Sequence, residues 1–273
     1  MSRFIAAMDH SGGSSPGVLE RYGYTNAHEL PHEVVMDDIH LMRLRMVDNP
    51  DFNSDNISHA ILYKDTVERG MVSVLNEKGI DAILKIDSGI NSRGMLKDFP
   101  VEEMCQFALD NGCVGTKMRS VIDPKPGWDS TQNVYGIVEQ QFEIAKQVYD
   151  TGLIPIVEPE INIHHEDKTK LEHWLHGALR ESLDKYDGKC ILKLTLPEIP
   201  EHYQEFTEHK KVVEVVGLSG GYSTEEACAR LMDQTNMSAS FSRALSEGLL
   251  VTHTDEEFNT KLSENIKLIL KAL

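Results

Sequence analysis

Short apolar runs recur along this chain, and between them apolar residues return every three or four positions. The runs cover residues 4–8, 58–63, 80–86, 114–117, 153–157, 189–196, 212–218 and 237–241. Four to eight apolar residues without helical spacing read as buried strands. The intervening stretches, such as EVVMDDIHLMRLRMV, VEEMCQFALDNG, VYGIVEQQFEIAKQVYDTG and DKTKLEHWLHGALRESLDKY, carry one apolar face each, and several end in Gly, a helix stop signal. A further helical segment, DEEFNTKLSENIKLILKAL, closes the chain. Eight strands alternating with helices predict parallel βα units, and eight is the number that closes a barrel. The fold class expected is therefore α/β, a single (β/α)8 TIM barrel spanning residues 1–273. An open doubly wound sheet is the alternative, but its GxGxxG phosphate fingerprint is absent. The most loop-like stretch, DPKPGWDS at 123–130, is too short to separate domains.

Composition narrows the partners. The chain has 273 residues, 40% of them hydrophobic, enough for a large core. No run of about 18 apolar residues occurs, so no membrane span is predicted. The start, MSRFIAAMDHSGG, has too short an apolar piece for a signal peptide and reads as a strand. Cys105, Cys113, Cys190 and Cys228 form no CxxC pair, which suits reduced, structural thiols in a cytoplasmic protein. A formal net charge of −17 opposes nucleic acid and anionic membranes as partners. A small phosphorylated substrate stays compatible, because a local cluster of Lys and Arg can outweigh the global field.

One run contains an anomaly. In CILKLTLP, residues 190–197, Lys193 interrupts an otherwise apolar strand. It points to water from an edge, or pairs with an acid inside, or loses its proton to desolvation. A neutral amine is a nucleophile and can form a Schiff base with a carbonyl. In a barrel, chemistry sits at the C-terminal strand ends. Those ends carry Asp9, Lys85, Lys117 with Arg119, Glu158 with Glu160, Lys193, the Ser219-Gly220-Gly221 loop, and Arg243. Singly, each is a rim charge; together they place cations and carboxylates around one mouth. Two neighbouring lysines disfavour each other's protonation, so Lys117 is expected to help keep Lys193 neutral. Glu158 suits proton transfer during carbinolamine dehydration, and Asp9, on the opposite side, suits removal of a substrate hydroxyl proton. The loop after strand seven and Arg243 after strand eight match the usual phosphate site of barrels.

The motifs AAMDHSGGS, LKIDSG, GTKMRS, IPIVEPEINI, LKLTLP, LSGGYS and SFSRAL occur in this order. With them the sequence resembles the class I fructose-bisphosphate aldolases of the bacterial type over nearly its whole length. The resemblance implies a (β/α)8 barrel that reversibly cleaves fructose 1,6-bisphosphate to dihydroxyacetone phosphate and glyceraldehyde 3-phosphate, in glycolysis and gluconeogenesis. It implies no metal and no organic cofactor. By motif, Lys193 is the Schiff-base lysine, Glu158 the acid/base and Glu160 its support. Lys117 and Arg119 come from TKMR, and Asp9 is the base at the C4 hydroxyl. Ser219, Gly220 and Arg243 are the ligands of the phosphate on the ketone half, and Gly221 and Ser240 also bind substrate. Lys85, Ser11 and Ser14 contact the other phosphate.

The sequence also departs from its relatives. His10 stands where they have an acidic or amide residue, and Ser88 replaces a second lysine. Only three residues precede the first strand, where the family usually has a helix, and LILKAL lacks the tyrosine-bearing tail of animal relatives. Other readings compete. His164 with His165, and His173 with His176, have spacings that can bind zinc, although HExxH is absent and the second pair lies on a charged face. Transaldolases and single-phosphate aldolases also use a barrel lysine; Lys85 and Arg243 on different sides favour a bisphosphate. Tagatose and sedoheptulose bisphosphates stay open as substrates, as do a non-catalytic barrel scaffold and either a monomeric or a homo-oligomeric state.

Overall fold

Strands rich in Ile, Val, Leu and Ala, and buried on both faces, favour a parallel sheet covered by helices. That is the arrangement in the structure, a computed structural model that describes residues 3–11 and 13–273. The strands are β1 (Phe4–Met8), β2 (Ile57–Leu62), β3 (Asp81–Lys85), β4 (Gly115–Ile122), β5 (Ile154–Ile161), β6 (Cys190–Thr195), β7 (Val212–Leu218) and β8 (Ser238–Ala239). They lie in sequence order, each parallel to the next. The two ends meet where the Ala7 N–H donates to the Phe241 carbonyl at 3.2 Å and the Ser238 hydroxyl to the Arg3 carbonyl at 2.7 Å. The result is a (β/α)8 TIM barrel.

A period of two sorts the side chains into two layers. Ile5, Ala7, Ile61, Ile83, Ile156, Ile191 and Val216 fill the barrel. Their neighbours, such as Phe4, Ala6, Leu84, Val157 and Leu192, pack outward against the helices. Side-chain caps fix the starts of some of the helices. Asp129 accepts from the Gln132 N–H at 2.9 Å ahead of the helix Ser130–Asp150. Thr254 and Glu257 form a reciprocal capping box ahead of the helix Asp255–Lys271. The four cysteines are buried and unpaired, and burial pushes the Cys190 thiol up to about 12. Among the described residues no helix is long and apolar enough to cross a membrane.

Strand boundaries differ from the sequence reading mainly at the mouth. β4 and β5 run on to Ile122 and Ile161, paired residue by residue from Gly115↔Ile154 to Ile122↔Ile161. Their extensions, MRSVI and EPEI, mix Arg119, Ser120, Glu158, Pro159 and Glu160 with apolar residues, so the continuous apolar run breaks before the strands end. The structure also has a short helix, Ser15–Arg21, that the periodicity does not reveal, with Pro in its first turn.

Candidate active site

Just beyond the barrel's apolar filling, the inward face of five strands turns charged. Ala7 is followed in phase by Asp9, Ile83 by Lys85, Ile156 by Glu158 and Ile191 by Lys193. On β4 the inward series is Gly115, Lys117 and Arg119. These side chains surround a cavity of about 460 Å³ at the C-terminal ends of the strands. Every residue that the sequence reading named for catalysis or substrate binding lines it.

The deepest part is a chain of alternating charges. Lys193 is 4% exposed, and its Nζ lies 3.1 Å from Glu158 Oε1. Glu158 Oε2 is 3.0 Å from Lys117 Nζ, which is 2.5 Å from Asp9 Oδ2. Burial by itself raises the Asp9 carboxyl, but the charges of Lys117 and Lys193 outweigh it and hold Asp9 well below the usual carboxylate range. Burial pulls the Lys117 ammonium down, while Asp9, Glu158 and Asp87 together keep it above the ordinary lysine value. Lys117 is therefore a fixed cation. Although β1 and β5 face each other across the barrel, their carboxylates converge on this one ammonium, so Asp9 and Glu158 are closer partners than strand order suggests.

The fold fixes Glu158 through its backbone. Gln141, fully buried on the helix Ser130–Asp150, accepts from the Glu158 N–H at 2.9 Å and donates to the Glu158 carbonyl at 3.0 Å. It also donates to the Ser120 hydroxyl at 2.9 Å. Direct pairing of β5 with β6 covers only Ile156↔Ile191 and Val157↔Leu192. Beyond it the Thr195 hydroxyl accepts from the Ile161 N–H at 2.8 Å and donates to the Ile161 carbonyl at 3.1 Å. Side chains thus complete the hydrogen bonding of β5 where the strands part.

Around the rim, Glu160 pairs with the Arg119 guanidinium. Lys85 Nζ lies 3.0 Å from Asp87 Oδ1 and donates to the Asp87 carbonyl at 3.0 Å. Asp87 further accepts from the N–H groups of Gly89 and Arg119. After β7, Ser219 opens a turn closed by the Tyr222 N–H on the Ser219 carbonyl at 2.8 Å. Gly220 and Gly221 adopt φ of +55° and +115°, which side chains resist, and a Cβ on Gly220 would meet Ile163 at 2.8 Å. Arg243 donates to the Gly221 carbonyl at 3.2 Å. The Ser240 hydroxyl is buried without a protein partner. Ser14 donates to the Ser11 carbonyl at 3.0 Å and accepts from its N–H at 3.2 Å.

His10 also has a place here. Its Nε2 is 2.9 Å from the Ser242 hydroxyl, and Arg43 donates to its carbonyl at 2.8 Å. Burial, then the Arg43 charge, lowers the imidazole to about 4, so it is neutral at pH 7. Three lining residues with polar side chains escaped the sequence reading: Asp87, Ser242 and Arg21. Asp87 and Ser242 stand inside the motifs KIDSG and SFSRAL, a signal that was available; Arg21 stands in no motif. Ser88 is exposed and outside the lining. Of the zinc-like histidine pairs, His173 and His176 both lie beside His202, in edge and tilted contacts with ring centroids 5.1 and 5.3 Å away. Among the described residues no three His, Cys, Asp or Glu side chains are placed to hold a metal ion.

No protein-family model matches this sequence. Solved structures do resemble the fold. A fructose-bisphosphate aldolase from Plasmodium falciparum, in complex with TRAP and a small-molecule inhibitor, matches with a TM-score of 0.73 at 20% identity, over 99% of this chain and 88% of that one. A structural-genomics protein from Corynebacterium glutamicum matches with a TM-score of 0.61 at 13% identity, over 99% and 86%. An archaeal fructose 1,6-bisphosphate aldolase matches with a TM-score of 0.56 at 14% identity, over 97% and 93%. At these identities the likeness is one of fold.

Proposed function

We propose that this protein is a Schiff-base aldolase of the class I type that reversibly cleaves fructose 1,6-bisphosphate. The observation that carries the reading is Lys193, a buried amine 3.1 Å from Glu158 on the floor of a cavity rimmed by arginine, serine and a glycine turn. The seven sequence motifs support it, and so do the aldolases among the similar folds.

The geometry suits each step. The Lys193 nitrogen forms a bond to the substrate's C2 carbonyl carbon, and the carbonyl oxygen takes up a proton. Glu158, in contact with Lys193, delivers the further proton with which that oxygen leaves as water. Asp9 then removes the proton of the C4 hydroxyl. The C3–C4 bond breaks, its electron pair moves into the enamine conjugated to the Lys193 nitrogen, and glyceraldehyde 3-phosphate departs. Protonation at C3 and addition of water release dihydroxyacetone phosphate and restore the amine. The Lys117 cation, between Asp9 and Glu158, stabilises negative charge developing on the substrate's oxygens.

Borohydride reduction in the presence of dihydroxyacetone phosphate tests the assignment. Peptide mapping should place the label on Lys193, and Lys193→Ala should lose both labelling and turnover. A label on another lysine, or wild-type turnover in the variant, would remove the basis of the reading.

A further inference from the structure

The helix Ser130–Asp150 carries two adjacent glutamines, and each clamps the backbone of a different element. Gln141 bonds to both the N–H and the carbonyl of Glu158 on β5. Gln140 does the same to Leu96: its side-chain oxygen accepts from the Leu96 N–H at 2.8 Å, and its amide donates to the Leu96 carbonyl at 3.0 Å. Leu96 is 2% exposed, so water does not reach it readily, and the amide takes the place of a neighbouring strand.

Leu96 belongs to the loop after β3, which is folded as a small hairpin. Ile90 and Leu96 form an antiparallel bridge. The Asn91 N–H donates to the Met95 carbonyl at 2.9 Å, and the Lys97 N–H to the Gly89 carbonyl at 3.0 Å. Near the tip, Gly94 has φ of +77° and lies against β4, where the Val121 N–H donates to its carbonyl at 2.9 Å. A Cβ at Gly94 would sit 1.8 Å from the Val121 carbonyl oxygen, so only glycine permits this approach. Asn133, on the same helix as Gln140, donates to the Arg93 carbonyl at 2.9 Å. One arm of the hairpin is thus held by the helix. The other arm, Gly89 and Ile90, lines the cavity. β3 lies three strands from β6 in the sheet, so Ile90 stands across the mouth from Lys193.

We propose that Gln140 is a positioning residue for the half of the substrate that leaves as the aldehyde. It fixes the hairpin so that Ile90 bounds the cavity on the side away from Lys193, while Gln141 fixes Glu158 beside the amine. Two neighbouring amides of one helix hold the two halves of the site separately. The aldehyde half rests on the aldolase reading; the anchoring of the hairpin does not.

Hydrogen exchange and steady-state kinetics test the two parts. Gln140→Leu keeps the volume and removes both bonds. Backbone amides of residues 88–97 should exchange faster in this variant, while those of residues 154–161 keep the wild-type rate. In the condensation direction its KM for glyceraldehyde 3-phosphate should rise about 2- to 12-fold, the range for losing a hydrogen bond of ordinary strength. Borohydride trapping with dihydroxyacetone phosphate, which occupies only the Lys193 half, should keep its rate. Ile90→Ala should raise the same KM, and the double variant should fall short of the product of the two single effects, because both act through one wall. Gln140→Glu, which as a carboxylate still accepts from the Leu96 N–H but cannot donate, should lie between wild type and Gln140→Leu; it judges the proposal alone if Gln140→Leu does not fold. Unchanged exchange in residues 88–97 overturns the anchoring. Faster exchange with an unchanged KM, slowed trapping, or independent effects of Gln140 and Ile90 overturns the positioning role. If the wild-type protein is not trapped, the aldolase reading falls while the exchange rates still judge the anchoring.

Discussion

Glu158 and Asp9 share one ammonium, yet they face different bonds of the proposed substrate. Glu158 also touches Lys193, so it is placed for the proton transfers that make and unmake the Schiff base. Asp9 touches only Lys117 among the cavity's cations and is held ionised, which suits a base. Glu158→Gln should therefore slow borohydride-trappable adduct formation by about 10²–10⁴, the usual worth of general acid–base catalysis. Asp9→Asn should trap dihydroxyacetone phosphate near the wild-type rate but lose carbon–carbon cleavage. Rapid-quench trapping compares them, and equal trapping rates would mean that the roles are not divided this way. Most of this cavity is legible in the sequence because an ionisable residue in an apolar run is costly, and its position marks a strand end. Arg21 is not legible, since an arginine in the last turn of a surface helix is ordinary until the fold brings it to the cavity that Arg243 also lines. Nor is the role of Asp87, which depends on Lys85 folding back onto it.

At the level of elements, the strands announce themselves because most are apolar on both faces over several residues. The ends of β4 and β5 do not, because there the inward face belongs to the cavity and Pro159 removes a donor from the ladder. What holds β5 in place is a helix side chain, and Gln141 looks like any polar residue of an amphipathic segment. Gln141→Leu keeps the volume but leaves the Glu158 N–H and carbonyl buried and unpaired. Each such group costs about 1–3 kcal/mol, so urea unfolding should show a loss of about 2–6 kcal/mol. Because Glu158 is the residue released, trapping with dihydroxyacetone phosphate should slow in the variant while it is still folded. A destabilised Gln141→Leu with an unchanged trapping rate would show that the amide supports the fold and not the position of Glu158.

The whole molecule sets two electrostatic length scales against each other. The chain carries a formal charge of −17, which repels a phosphorylated substrate, while Arg21 and Arg243 attract it at the mouth. Which one governs depends on screening. At about 0.01 M salt the Debye length is about 30 Å, comparable to the barrel, and the global charge is felt by an approaching anion. At about 0.1 M it falls to about 10 Å, so the distant acidic surface is screened while the two guanidiniums are not. At about 1 M it is about 3 Å, and the exposed arginines are screened as well. The kcat/KM for fructose 1,6-bisphosphate should therefore pass through a maximum near 0.1 M KCl and decline on both sides. In Arg21→Ala the fall at high salt should be shallower, because less local attraction is left to screen. A monotonic rise with salt would mean that global repulsion dominates throughout, and a monotonic fall that the mouth alone governs capture.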